Sequence, residues 1–135
     1  MQTDHKDYVI SAETDLPFME AVNRVRDLLQ EAGYGLLCEI DVKAKLEKKL
    51  GVEREPYVIL GACNPPLASE SLEAEPNLGV LLPCNVVVYK REGHTRVAAV
   101  EPEQMLSIVG NEDLGPIAQR VREDLARVVE EIAKG

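Results

Sequence analysis

The sequence has no apolar run approaching the roughly 20 residues that a bilayer-spanning helix requires. Its first ten residues, MQTDHKDYVI, lack the basic start and long apolar stretch of a secretory signal. A cytosolic chain is expected. Basic residues are the minority: 15 Lys and Arg against 24 Asp and Glu give a formal charge of -9. That balance repels phosphate backbones and anionic lipid heads, so neither nucleic acid nor a membrane is an expected partner. Cysteine is sparse, at Cys38, Cys63 and Cys84, with no C-x-x-C, so a reducing compartment would keep all three as thiols. Ser11, Ser69, Ser71 and Ser107 have nothing like the G-x-S-x-G turn of an activated serine. No internal repeat, low-complexity tract or linker divides the chain.

What is present suits one domain spanning residues 1–135, with 45% hydrophobic residues available for a core. Residues 7–12 (DYVISA) read as a short strand. Asp15 is placed to cap a helix with Pro17 in its first turn, and Phe18, Val22, Val25, Leu29 and Ala32 form one apolar stripe ending at Gly33. In residues 36–42, Leu36, Cys38, Ile40 and Val42 alternate with Leu37, Glu39 and Asp41, the period of a strand with Cys38 pointing inward. A short basic helix over 43–51 leads to the continuous apolar run YVILGA, residues 57–62, suited to a central strand. A second short helix over 65–75 ends before Pro76. From Leu78 a longer strand runs to Lys90, bent at Pro83, and Glu92-Gly93 turns it into a strand over 94–100.

A short helical piece after Pro102 precedes the last helix, for which Asp113 is the expected cap and Pro116 a first-turn residue. Leu114, Ile117, Val121, Leu125, Val128 and Ile132 mark its buried stripe; Glu123 with Arg127 and Glu130 with Lys134 are spaced for ion pairs on its wet side. The order strand, helix, four strands, helix implies an α+β domain, an antiparallel sheet with both long helices on one face and small helical insertions. The opposite face stays half apolar: Asn85, Val87, Tyr89 and Arg91 share one side of their strand. A second copy of the chain is the simplest cover, so a homodimer is expected.

Chemistry concentrates in two echoing words, LGACNPP at 60–66 and LPCNVVV at 82–88. Asn64 reads as the cap of a helix opening with Pro65 and Pro66, and those prolines remove two N–H groups that would bind an anion. Cys63 and Cys84 flank the same strand pair, which admits a soft-metal or redox reading; against it, two sulfurs half fill a zinc site and no His stands at ligand spacing. No cofactor is expected. His5 and His94 read as solvated, and Lys43, Lys45, Lys48 and Lys49 as partners of nearby acids; Glu39, Asp41, Glu101 and Glu103 offer paired carboxylates, but Glu39 and Asp41 read as an exposed strand face with no Gly-rich loop or D-x-D-x-D ladder beside them. Asn85 has no such ordinary account, because it interrupts an apolar strand with no helix to cap. Cys63, Asn64, Cys84 and Asn85 are therefore the candidate ligand-binding residues, with a small molecule or protein partner as ligand; a purely structural homodimer is the remaining alternative.

Residues 41–68, DVKAKLEKKLGVEREPYVILGACNPPLA, and 77–93, NLGVLLPCNVVVYKREG, resemble the bacterial and archaeal family known as domain of unknown function 302. The resemblance rests on the Cys-Asn-Pro word at Cys63, Asn64 and Pro65 and the Pro-Cys-Asn word at Pro83, Cys84 and Asn85. It implies a TATA-binding-protein-like fold and makes a homodimer plausible, but it implies no reaction.

Overall fold

The computed structural model describes residues 8–135. It is a mixed α/β domain built on a five-stranded, wholly antiparallel sheet. The strands are β1 (Val9–Thr14), β2 (Gly35–Asp41), β3 (Tyr57–Cys63), β4 (Cys84–Arg91) and β5 (His94–Val100), in spatial order β1-β5-β4-β3-β2. Helix α1 (Phe18–Glu31) links β1 to β2, and α2 (Val42–Leu50) links β2 to β3. Between β3 and β4 lie α3 (Pro65–Ala74) and a 3-10 turn (Pro76–Leu81). After β5 come α4 (Pro102–Ser107), a 3-10 turn (Glu112–Leu114) and α5 (Gly115–Ala133).

The core is the layer between the sheet and helices α1 and α5. Alternation aims Val58, Leu60 and Ala62 of β3, Val86 and Val88 of β4, and Val97 and Ala99 of β5 at the helices, and all are buried. The helices answer with stripes at spacings of three and four. In α1 these are Ala21, Val22, Val25, Leu28 and Leu29; in α5, Ile117, Val121, Leu125, Val128, Val129 and Ile132. Each fully buried Leu, Ile or Val contributes about 1.5–3 kcal/mol relative to exposure, so these stripes outweigh any surface pair.

Several boundaries differ from expectation for identifiable reasons. Asp15 does not cap α1: the residue before the helix is Pro17, which makes no side-chain cap. The segment from Leu78 to Leu81 is a 3-10 turn and not the start of a strand; Leu78 is buried, and β4 begins only at Cys84, after the cis Leu82–Pro83 peptide. Asp113 does not cap α5; Asn111 caps the 3-10 turn before it, accepting the Asp113 N–H at 2.9 Å. On the wet side of α5, Lys134 pairs with Glu131 at 3.1 Å instead of Glu130. The expected hairpin does form at Glu92 and Gly93, both with positive φ (52° and 84°), which matches the twist of the strands they join.

The largest correction concerns β2. Its register against β3 runs Gly35 to Cys63 and Leu36 to Ala62, then skips so that Cys38 faces Gly61, Glu39 faces Leu60 and Ile40 faces Ile59. Leu37 is the extra residue of a bulge, and every residue beyond it changes face. Cys38 thus turns away from the helices and is exposed, whereas simple alternation sends it inward.

Candidate functional site

The sheet's second face is the one turned away from α1 and α5, and it is where the conspicuous sequence words come together. On β3 it presents Tyr57, Ile59, Gly61 and Cys63; on β4, Asn85, Val87, Tyr89 and Arg91; on β5, Arg96, Ala98 and Val100. Ile59, Val87 and Ala98 are half-buried, so the middle of this face is an apolar floor.

At one end of the floor, Gly61 is buried although nothing from the helical layer covers that side. A Cβ on it would lie 2.6 Å from Cys38 Sγ, 2.8 Å from Pro83 Cγ and 3.6 Å from Asn85 Oδ1. The absent side chain is what lets β2, brought round by its bulge, and Pro83 close over the strand. Asn85 is the cross-strand partner of Gly61 and is exposed. Its amide makes no hydrogen bond among the described residues, which leaves two donors and an acceptor available beside the apolar floor.

At the other end, the rings of Tyr57 and Tyr89 stack with centroids 5.3 Å apart and planes 17° from parallel. Arg54 reaches over Tyr57, its guanidinium carbon 6.0 Å from the ring centroid. Between the two ends runs an open groove of about 1030 Å³ whose lining includes Asn85, Val87, Tyr89, Ala98 and Val100.

The four residues singled out by the sequence divide between sites. Asn64 has the structural task read from the sequence: its side-chain oxygen accepts the Leu67 N–H at 3.2 Å and caps α3. Cys63 is half-buried at the end of β3. Cys84 faces the opposite way from Asn85, into the core, and burial, with a smaller contribution from Cys63, pushes its thiol up to about 11. A buried thiol held protonated is a poor nucleophile and a poor metal ligand. No group of three or more His, Cys, Asp or Glu side chains among the described residues is arranged to hold a metal ion.

The two strand carboxylates considered from the sequence have structural partners. Glu39 pairs with Arg26 of α1, and Asp41 caps α2 by accepting the Ala44 N–H at 2.9 Å. Lys43 pairs with Glu47. His94 is exposed in the hairpin and His5 lies outside the described residues. Two acids among the described residues are buried, and of these the sequence singles out only Glu101. Asp124 accepts the Tyr34 hydroxyl at 2.9 Å and pairs with Arg120 at 3.3 Å; Glu101 caps α4 through the Gln104 N–H at 2.7 Å and pairs with Arg122 at 2.6 Å. The Tyr57–Tyr89 stack was also missed, although both tyrosines stand on the outward parity of strands that pair Tyr57 with Tyr89.

Comparison with known proteins gives a family and one informative structure. A family model described as domain of unknown function DUF302 matches residues 10–132. The crystal structure of an uncharacterized conserved DUF302 protein from Bacillus stearothermophilus is similar with a TM-score of 0.88 and 27% identity, covering 94% of this chain and 99% of that one. No curated protein matches.

Proposed function

The chain belongs to the DUF302 family, whose description assigns no activity, and on the geometry we propose that it is a homodimeric small-ligand-binding module. The recognition surface in this reading is the sheet face turned away from α1 and α5. Two copies pack with these faces toward each other, and the groove between them holds the ligand. The order of strand, helix, four strands and helix supports describing the scaffold as TATA-binding-protein-like.

One observation carries the proposal: the exposed amide of Asn85, which makes no hydrogen bond among the described residues, stands at the edge of an apolar groove on the sheet face turned away from α1 and α5. Ligand sites combine apolar walls with a few polar groups that fix orientation, and this face has that composition. The thiol alternative has less support, because Cys63 and Cys84 do not share a sheet face and Cys84 is kept protonated. No helix among the described residues is long and apolar enough to cross a membrane.

The test is the oligomeric state of the purified protein by sedimentation velocity, with Val87→Lys as the face-specific variant. The expected result is a dimer that becomes a folded monomer in Val87→Lys. A monomeric wild type, or a Val87→Lys protein that remains dimeric, would exclude this face as the dimer contact.

A further inference from the structure

The groove is not electrically neutral, and its polarity selects a ligand class. The chain as a whole carries a formal charge of -9. Yet the charged residues lining the groove are Arg54, Lys90 and Arg91 against a single carboxylate, Glu55. That carboxylate is already engaged, accepting the Glu92 N–H at 3.1 Å. The three cations are exposed and make no ion pair among the described residues. Three cations without ion-pair partners, gathered at one end of a groove on a molecule of net charge -9, form a local attractive field for an anion.

The walls beside those cations are aromatic. Tyr57 and Tyr89 are stacked, and Arg54 sits over Tyr57. Such a surface offers an apolar ligand aromatic contact beside the floor, while the guanidinium groups supply planar donor forks for a carboxylate, sulfonate or phosphate. Farther along, Val87, Ala98 and Val100 continue the apolar floor and Asn85 adds its amide at the far end.

Resting on the reading of this groove as the ligand site, we propose that its ligand is a small amphipathic anion: a flat apolar body along Val87 and Ala98 and an anionic end held by Arg54, Lys90 and Arg91. The apolar body provides affinity through burial, and the anionic end fixes its direction in the groove.

Two fluorescent probes of the same shape and different charge test this. Anilinonaphthalenesulfonate is an aromatic anion; phenylnaphthylamine is its neutral counterpart. Both are titrated into the wild type and into the triple variant Arg54→Gln, Lys90→Gln, Arg91→Gln, with ellipticity and thermal midpoint confirming an unchanged fold. Amide chemical-shift changes at Val87 and Ala98 locate the bound probe. The expected result is saturable binding of the anion that weakens at least tenfold in the triple variant and weakens with added salt, while affinity for the neutral probe changes less than twofold. If both probes bind in the groove and the triple variant affects neither, the preference for an anion is overturned and the groove remains a binding site. If neither probe binds saturably, or the shifts fall elsewhere, the proposal and the reading beneath it both fail.

Discussion

Asn85 and Gly61 stand directly opposite each other on the β3–β4 ladder, on the face of the sheet turned away from α1 and α5. The pairing joins the two sequence words: the glycine of LGACNPP makes room for the cysteine of a third strand and for Pro83, and the asparagine of LPCNVVV stands at the rim of what is formed.

Gly61→Ala is expected to destabilise the fold by about 1–3 kcal/mol, the usual cost of forcing a methyl into filled space. Its Cβ would lie 2.6 Å from Cys38 Sγ and 2.8 Å from Pro83 Cγ. Urea unfolding of Gly61→Ala, Cys38→Ala and the double variant measures it. Removing the sulfur should recover part of the loss, and strictly additive effects would show that Cys38 is not the obstacle.

The three thiols should differ in reactivity with an aromatic disulfide reagent at neutral pH. Cys38 is exposed and should react first, Cys63 more slowly, and Cys84 only as the protein unfolds. A Cys84 that reacts in the folded protein as fast as Cys38 would bring back the thiolate reading.

Stability should fall in alkali, and the sign follows from two buried neutral groups. The Cys84 thiol rises from its ordinary 9.0 to about 11, chiefly by burial. Tyr34 is raised further, by burial and by donating its hydroxyl to the Asp124 carboxylate. Both are protonated in the folded chain, so their contribution is complete below pH 9 and is lost as pH rises through 9 to 11 and beyond. The Cys84 share is about 2–3 kcal/mol. Chemical unfolding of Cys84→Val at pH 8 and pH 10.5 should show a smaller drop than the wild type; an identical drop would remove Cys84 from the account.

Tyr34→Phe should cost about 1–2 kcal/mol, because Asp124 loses one hydrogen bond and keeps Arg120. Asp124→Ala should cost more, about 2–4 kcal/mol, since it leaves the Tyr34 hydroxyl buried and unmatched and removes the ion pair. Thermal midpoints rank the two variants, and the reverse order would mean that the carboxylate is itself the burden.

Much of the framework was legible because it depends on periodicity. The α1 and α5 stripes, the outward and inward residues of β4, and the Asn64 cap all follow from spacing alone, and each is found where spacing puts it. The failures are local and have causes. The stretch after Pro76 has apolar residues suited to a strand, but it turns as a 3-10 segment that buries Leu78. Cys38 was misplaced because counting by two cannot register an extra residue. The groove was half legible: alternation put Asn85, Val87, Tyr89 and Arg91 on one face, but Arg54, in the loop before β3, joins them only through the fold. The burial of Asp124 and Glu101 was not legible because Tyr34 and Arg122, which meet them from other elements, are distant in sequence.

The bulge at Leu37 gives chain length a meaning at this one position. A relative of this protein that lacks one residue between Gly35 and Cys38 would have an unbroken strand. Plain alternation from Leu36 would then place its counterpart of Cys38 opposite Gly61 and its counterpart of Glu39 opposite Leu60, the partners they have here. A single gap in a comparison of homologous sequences would therefore mark a straight strand that keeps the same roof over Gly61, whereas a relative of full length here needs the bulge to do so.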